Sequence, residues 1–283
     1  MKHFLIASLF FLQISCDETK NNEPQNDSEQ VNFSQCSSGL IVDAYPKGNN
    51  NVLVWADEFE IDGRPCSKNW FHETVPPNNG NWWNSEFQHY TNREENSIVE
   101  NGVLKIIARK ENYDGKEYTS ARINTMNLFE FKYGKVEVKA RLPKGQGTWP
   151  AIWMLGASFE DLDWPFCGEI DILEHGNKQA GEVSSAVHLP DDEGNAYYQT
   201  NSIKIENESS DFHIYSMVWS ENKIEFFVDG ISYHVFQIKK GMPFDQPFFL
   251  LLNVAMGGDF TGNTVDPSFT DSVMEVDYVR VFQ

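Results

Sequence analysis

Residues 168–175 read GEIDILEH, and three of the eight are acids. Glu169 and Asp171 are two apart, so on a strand they face the same way. Glu174 is five from Glu169, which on a regular strand turns it to the opposite face. One bulged residue between them restores the face, because a bulge sets two residues against one. Glu169 and Glu174 then act as i and i+4 neighbours with Cα atoms about 13 Å apart, and side chains leaning together bring their carboxyls to roughly 5–6 Å. Carboxyls about 5–5.5 Å apart suit glycoside cleavage by double displacement, whereas inversion needs roughly 6.5–9.5 Å to admit a water. Three acids on one face repel each other, so one can be ionised while another stays protonated. Asp171, between the two glutamates, can hold the nucleophile by a hydrogen bond. The bland alternative is a solvated face of an edge strand. Ile170, Ile172 and Leu173 speak against it, because they describe a buried strand, where idle acids are costly.

The elements that must position these acids read as β throughout. In YGKVEVKARL, Val136, Val138, Ala140 and Leu142 share one face, and Lys135, Glu137, Lys139 and Arg141 the other. Asp229-Gly230 and Asn101-Gly102 each sit between alternating runs, a strong hairpin signal. Residues 247–256 (PFFLLLNVAM) are apolar on both faces, as a strand deep in a sandwich is. VMEVDYVRVF at the C-terminus reads as one more strand. No amphipathic run is long enough for a helix, and no internal repeat occurs. Many short strands with Gly, Asn, Asp and Pro turns predict one all-β domain, an antiparallel sandwich over residues 40–283.

GEIDILEH closely resembles the active-site signature of glycoside hydrolase family 16, in the bulged form carried by its laminarinases. The resemblance runs from about Leu53 to Gln283 and includes VLVWADEF, NSEFQHYTNREEN, YTSARINT, YGKVEVKARLPKGQGTWPAIWML, FHIYSMVWSENKIEFFVDG and VDYVRVF. It implies a β-jelly roll with a substrate cleft across the concave sheet. It also implies Glu169 as nucleophile, Glu174 as acid/base and Asp171 as their helper. In TWPAIWML, Trp149 and Trp153 alternate onto one face, where two indoles can pack in a core or stack on pyranose rings. The family match favours sugar contact. By the same resemblance His188 is a cleft residue near the acids, and Asn84, Glu86 and Arg122 line the subsites on the non-reducing side. A structural Ca²⁺ recurs in the family away from the cleft, and the matching positions are Glu58, Gly102 and Asp277; no cofactor is implied for catalysis. The ILEH form and the WPAIWML context look most like a retaining endo-β-1,3-glucanase acting on laminarin-type, or mixed β-1,3/1,4, glucans. An agarase or another polysaccharidase of the family, and a non-catalytic glucan-binding protein on the same fold, are the alternatives.

Composition narrows the partner. The 283 residues carry 22 Lys plus Arg against 42 Asp plus Glu, a formal charge of -20. Such a chain repels nucleic acids and sulfated polymers, so a neutral or cationic partner is favoured; with the family resemblance, the expected partner is a neutral β-glucan polysaccharide, met by a monomer. Aromatic residues reach 14%, which suits both a β-rich core and stacking on flat ligands.

The N-terminus reads as an export signal. Lys2 precedes the short apolar run Phe4–Leu12, and Ser15-Cys16 resembles a bacterial lipoprotein cleavage box, although Gln13 stands where Leu is usual. Residues 1–15 are then the signal peptide, Cys16 the lipidated residue and 16–39 a polar tether. The expected location is the cell envelope, at the outer membrane facing the periplasm or outward, with membrane contact only through the lipid; ordinary secretion is the alternative. Of the other cysteines, Cys36 and Cys66 can pair, and Cys167 reads as a buried free thiol inside an apolar strand.

Overall fold

The computed structural model describes residues 52–176 and 181–283. The segments expected as signal peptide and tether, with Cys16 and Cys36, lie outside the described residues. In chain order the strands are β1 (Leu53–Asp57), β2 (Phe71–His72), β3 (Gln88–Tyr90), β4 (Ser97–Glu100), β5 (Val103–Tyr113), β6 (Lys116–Ser120), β7 (Arg122–Asn124), β8 (Gly134–Arg141) and β9 (Thr148–Gly156). Then follow β10 (Glu169–Glu174), β11 (Glu182–Pro190), β12 (Ala196–Lys204), β13 (His213–Trp219), β14 (Lys223–Val228), β15 (Ile231–Gln237), β16 (Phe248–Met256) and β17 (Asp271–Phe282). Among the described residues the helices are a 3-10 turn, Ala157–Glu160, and α1, Gly258–Thr261.

Two sheets form the sandwich. One follows the order β15-β14-β13-β8-β17-β5-β6-β3, with β1 added at β17 and β4 at β5. The other runs β12-β11-β10-β9-β16-β7-β2 and carries the acids near its centre. Pairing is antiparallel except between β3 and β6, which run parallel. The alternation read in β8 is real: Val136, Val138 and Ala140 are fully buried, while the charged residues between them are half-buried on the outer face. Asp229-Gly230 and Asn101-Gly102 both take positive φ at their two residues, as type I′ hairpin turns require.

β16 is buried along its whole length, for two different reasons. Leu250, Leu252, Val254 and Met256 face the core between the sheets. Phe249 and Leu251 face the other way and meet Leu155 and Cys167 in a small second cluster on the cleft side. Cys167 is a buried free thiol as expected, but it lies in the turn before β10, not inside a strand. The satellite cluster gives it burial without strand pairing. Cys66 is disulfide-bonded.

Candidate active site

β10 is bulged where the acids require it. Against β9, Asp171 pairs with Trp153 and Leu173 with Ile152, so two residues of β10 advance over one of β9. Against β11, Asp171 pairs with Ala186 and Glu174 with Ser184, again one residue in excess on β10. The cause is local sequence. Ile172 and Leu173 are consecutive, apolar and both buried in the core between the sheets. A regular strand would turn one of them into the cleft, forfeiting roughly 1.5–3 kcal/mol of burial. The bulge keeps both inside and puts Glu169, Asp171 and Glu174 on the cleft face.

The three acids are held by different partners. Glu169 Oε2 accepts the indole N–H of Trp164 at 2.8 Å. Glu174 Oε1 accepts that of Trp149 at 3.1 Å. Asp171 hydrogen-bonds Glu169, and its Oδ2 lies 3.1 Å from His188 Nε2. Ligand atoms of Glu169, Asp171 and His188 all come within 4.8 Å of one another. Burial, then the neighbouring carboxylates, pushes Glu169 up to about 8 and Glu174 up to about 7. Burial also holds Asp171, only 3% exposed, well above the usual carboxylate range. These values do not choose the nucleophile, and the contacts of the two glutamates are alike: each accepts one indole N–H. Asp171, hydrogen-bonded to Glu169, is placed to tune its ionisation.

The sequence-predicted contact residues gather on the same face. His188 pairs with Glu169 across β11, and Trp153 with Asp171 across β9. Trp153 Nε1 donates to Asn253 Oδ1 at 2.8 Å, and the Arg122 guanidinium lies over its ring at 4.6 Å. Arg122 also pairs with Glu73 at 3.0 Å. Trp149 stacks on Phe260. Glu86 is buried and accepts hydrogen bonds from Gln88 and Tyr90. Asn84 is exposed, and with Glu86 and Trp82 it lines an open pocket of about 470 Å³.

Sequence reasoning missed Trp164, Asn253, Tyr90 and Phe260. For Trp164 a signal existed: it stands five residues before Glu169 in WPFCGE. The others reach the site only through long-range pairing.

The positions matched to Ca²⁺ are placed together by the register. β1 ends its pairing at Asp57↔Val279, and β5 ends its own at Leu104↔Val276. Both therefore meet the same edge of β17 on either side of Asp277. Two main-chain oxygens and a carboxylate are suitable donors for a hard cation. The Asp277 carboxylate is paired with Lys139 and that of Glu58 with Arg280, so Asp277 would have to leave Lys139 to bind one.

Paired glutamates on a buried cleft strand, ringed by indoles and an imidazole, define a carbohydrate-cleaving hydrolase. The chain belongs to the glycosyl hydrolases family 16, whose model matches residues 84–280. It is 40% identical over 265 residues to a beta-glucanase of Rhodothermus marinus, covering 87% of this chain and 90% of that one. Its fold matches a LamA variant of Z. galactanivorans crystallised with laminaritriose and laminaritetraose, at a TM-score of 0.78 and 42% identity, over 82% of this chain and 99% of that one. It also matches a mutant of SCLam, a non-specific endo-beta-1,3(4)-glucanase, co-crystallised with 1,3-beta-D-cellotriosyl-glucose. Here the TM-score is 0.76 and the identity 39%, over 82% of this chain and 94% of that one.

Proposed function

We propose that the protein is a retaining endo-β-1,3-glucanase of laminarin-type glucans, tolerant of mixed β-1,3/1,4 chains. The observation that carries this is the bulge in β10, which brings two glutamates onto the cleft face where a regular strand would separate them. Glu174 gives its proton to the glycosidic oxygen while the Glu169 carboxylate attacks the anomeric carbon. The bond to the leaving chain breaks, and its electron pair stays on the newly protonated oxygen. Glu174, now anionic, takes a proton from water; the water oxygen displaces Glu169 and the sugar leaves with its configuration retained. The relatives' glucan ligands and activities support the substrate class, and the negative charge of this chain favours a neutral polymer over sulfated ones.

The enzyme works as a monomer tethered by lipid on Cys16 at the outer membrane. A structural Ca²⁺ would be held by main-chain oxygens of Glu58 and Gly102 with Asp277, and chelation would lower Tm without abolishing turnover. The function is tested on laminarin, lichenan and agarose with wild type, Glu169→Gln and Glu174→Gln. The expected result is release of reducing ends from laminarin, less from lichenan and none from agarose, with each variant at least 1,000-fold slower on laminarin, on the order seen when a catalytic group is removed. Binding of laminarin without products would favour the glucan-binding alternative, and preference for agarose the agarase.

A further inference from the structure

Trp149 and Trp153 share a strand and a face, yet their surroundings differ. Trp153 donates its N–H to an amide, Asn253, away from the acids. Trp149 donates to Glu174 Oε1. Its ring is stacked on Phe260, with centroids 5.0 Å apart and planes 15° from parallel. The short helix α1 carrying Phe260 is tightly seated: a Cβ on Gly258 would come within 3.1 Å of the Trp149 ring, and one on Gly176 within 2.8 Å of Phe260. Two aromatic planes and two bare glycines therefore fix where the Trp149 N–H points.

We propose that Trp149 is a positioning residue for the general acid, its indole N–H, clamped by Phe260, dictating which oxygen of Glu174 carries the proton. The proposal rests on the reading of Glu174 as the acid/base. An indole N–H can only donate, so Oε1 must accept and the proton of neutral Glu174 sits on Oε2. When Oε2 passes that proton to the glycosidic oxygen, Glu174 becomes an anion and its bond from Trp149 becomes charge-assisted. The contact is thus stronger in the transition state than in the ground state, the condition for it to raise the rate. The same bond draws Glu174 downward against the upward push of burial. The other titratable groups acting on Glu174 are Glu169 and Asp171 on its own strand, His188 on β11 and Tyr233 on β15.

Leaving-group dependence tests the idea, because a sugar platform and an acid-positioning residue respond to it differently. The comparison is kcat/KM on laminarin against kcat/KM on 2,4-dinitrophenyl β-laminaribioside, whose leaving group needs no proton. Trp149→Phe keeps a ring against Phe260 and deletes the N–H, together with part of the aromatic surface, a loss that a sugar platform would show equally on both substrates. It is expected to lose about 10- to 100-fold on laminarin, the loss carried by kcat, in line with a hydrogen bond to a charged group. On the activated substrate the loss is expected to shrink to under about threefold, since the contact is spent on proton transfer. The basic limb of its pH profile should move to higher pH, because the acid has lost a donor that favoured its ionised form. Phe260→Leu should show the same pattern more weakly. Equal losses on both substrates, a loss carried by KM, or no loss would overturn the proposal and return Trp149 to the role of a stacking platform. Glu174→Gln is the control. If it loses equally on both substrates, the acid/base assignment itself fails and the proposal falls with it.

Discussion

The two halves of the cleft, on either side of β10, are built differently. Over β9, β16 and β7 the side chains are cross-linked. Trp153 donates to Asn253, Asn253 to Tyr90 at 3.1 Å, and Tyr90 to Glu86 at 3.0 Å, while Arg122 covers Trp153 and pairs with Glu73. Over β11 and β12 the surface is sparse. β12 is an edge strand, largely exposed along its length, and Tyr198, 60% exposed, rests against His188 with ring centroids 5.5 Å apart. A pre-fixed network costs no ordering when a ligand arrives, whereas an open edge gives a ligand little to hold. In a double displacement one part of the chain stays on the enzyme as an ester and the other must leave. The cross-linked half suits the part that stays, and the open half suits the part that goes.

Removing Arg122 attacks the cross-linked half most directly and has the largest expected effect. Arg122→Ala uncovers Trp153 and leaves the half-buried Glu73 without its cation. Breaking such a partly buried pair costs about 1–3 kcal/mol, between an exposed pair and a fully buried one. Chemical denaturation should therefore show a clear fall in stability, and kcat/KM on laminarin should drop about tenfold or more through KM, given the cation–π and packing losses. Arg122→Lys keeps the charge but not the flat guanidinium that lies on the indole. It should recover stability better than KM. If both recover together, Arg122 is only a structural ion pair, and the halves do not differ in the way described.

β10, the boundary between the halves, stores a cost that can be read as a stability. Glu169 and Glu174 have folded-state pKa values raised to about 8 and about 7, and burial holds Asp171 above the usual carboxylate range as well. A carboxyl whose pKa is raised by folding binds more protons native than unfolded, so stability is greatest at acid pH and falls as pH rises. The window runs from the ordinary glutamate value near 4.5 up to about 8. Glu169→Gln removes one such group. Its Tm should exceed wild type by about 2–4 °C at pH 8, roughly the shift for 1 kcal/mol in a domain of this size, with the gain vanishing near pH 4.5. A gain that is the same at both pH values would show that the cost is not ionisation.

How much of this was legible in the sequence depended on whether the signal was local. The bulge was legible, because acids at 171 and 174 flank two consecutive apolar residues, and the core claims both Ile172 and Leu173. The hairpins at Asn101-Gly102 and Asp229-Gly230 were legible for the same reason: the residue types carry the φ values. Cys167 was placed in a strand because its neighbours are apolar, but its burial comes from Leu155, Phe249 and Leu251, distant in sequence and on the cleft face. The parallel pairing of β3 with β6 left no mark on the pattern of either segment. Asn253 and Tyr90 are 163 residues apart, and nothing in either stretch announces their hydrogen bond. Local rules thus reached the acids and not the network that steadies the Trp153 indole beside them.

The smallest expected effect lies on the open half. Tyr198 leans on His188, which in turn touches Asp171, so the ring could matter as a sugar contact or as a prop for the imidazole. Tyr198→Ala removes both; Tyr198→Phe removes only the hydroxyl. If the open half holds the departing chain weakly, Tyr198→Ala should raise KM for laminarin about three- to fivefold, the scale of one exposed aromatic contact. It should leave KM for a short aryl laminaribioside unchanged, because that substrate has no sugar on the departing side. Tyr198→Phe should match wild type on both. A loss of kcat on the short substrate would mean that Tyr198 acts through His188 on the acids. The two halves of the cleft would then be joined by an aromatic prop where the comparison sets a rigid side against a loose one.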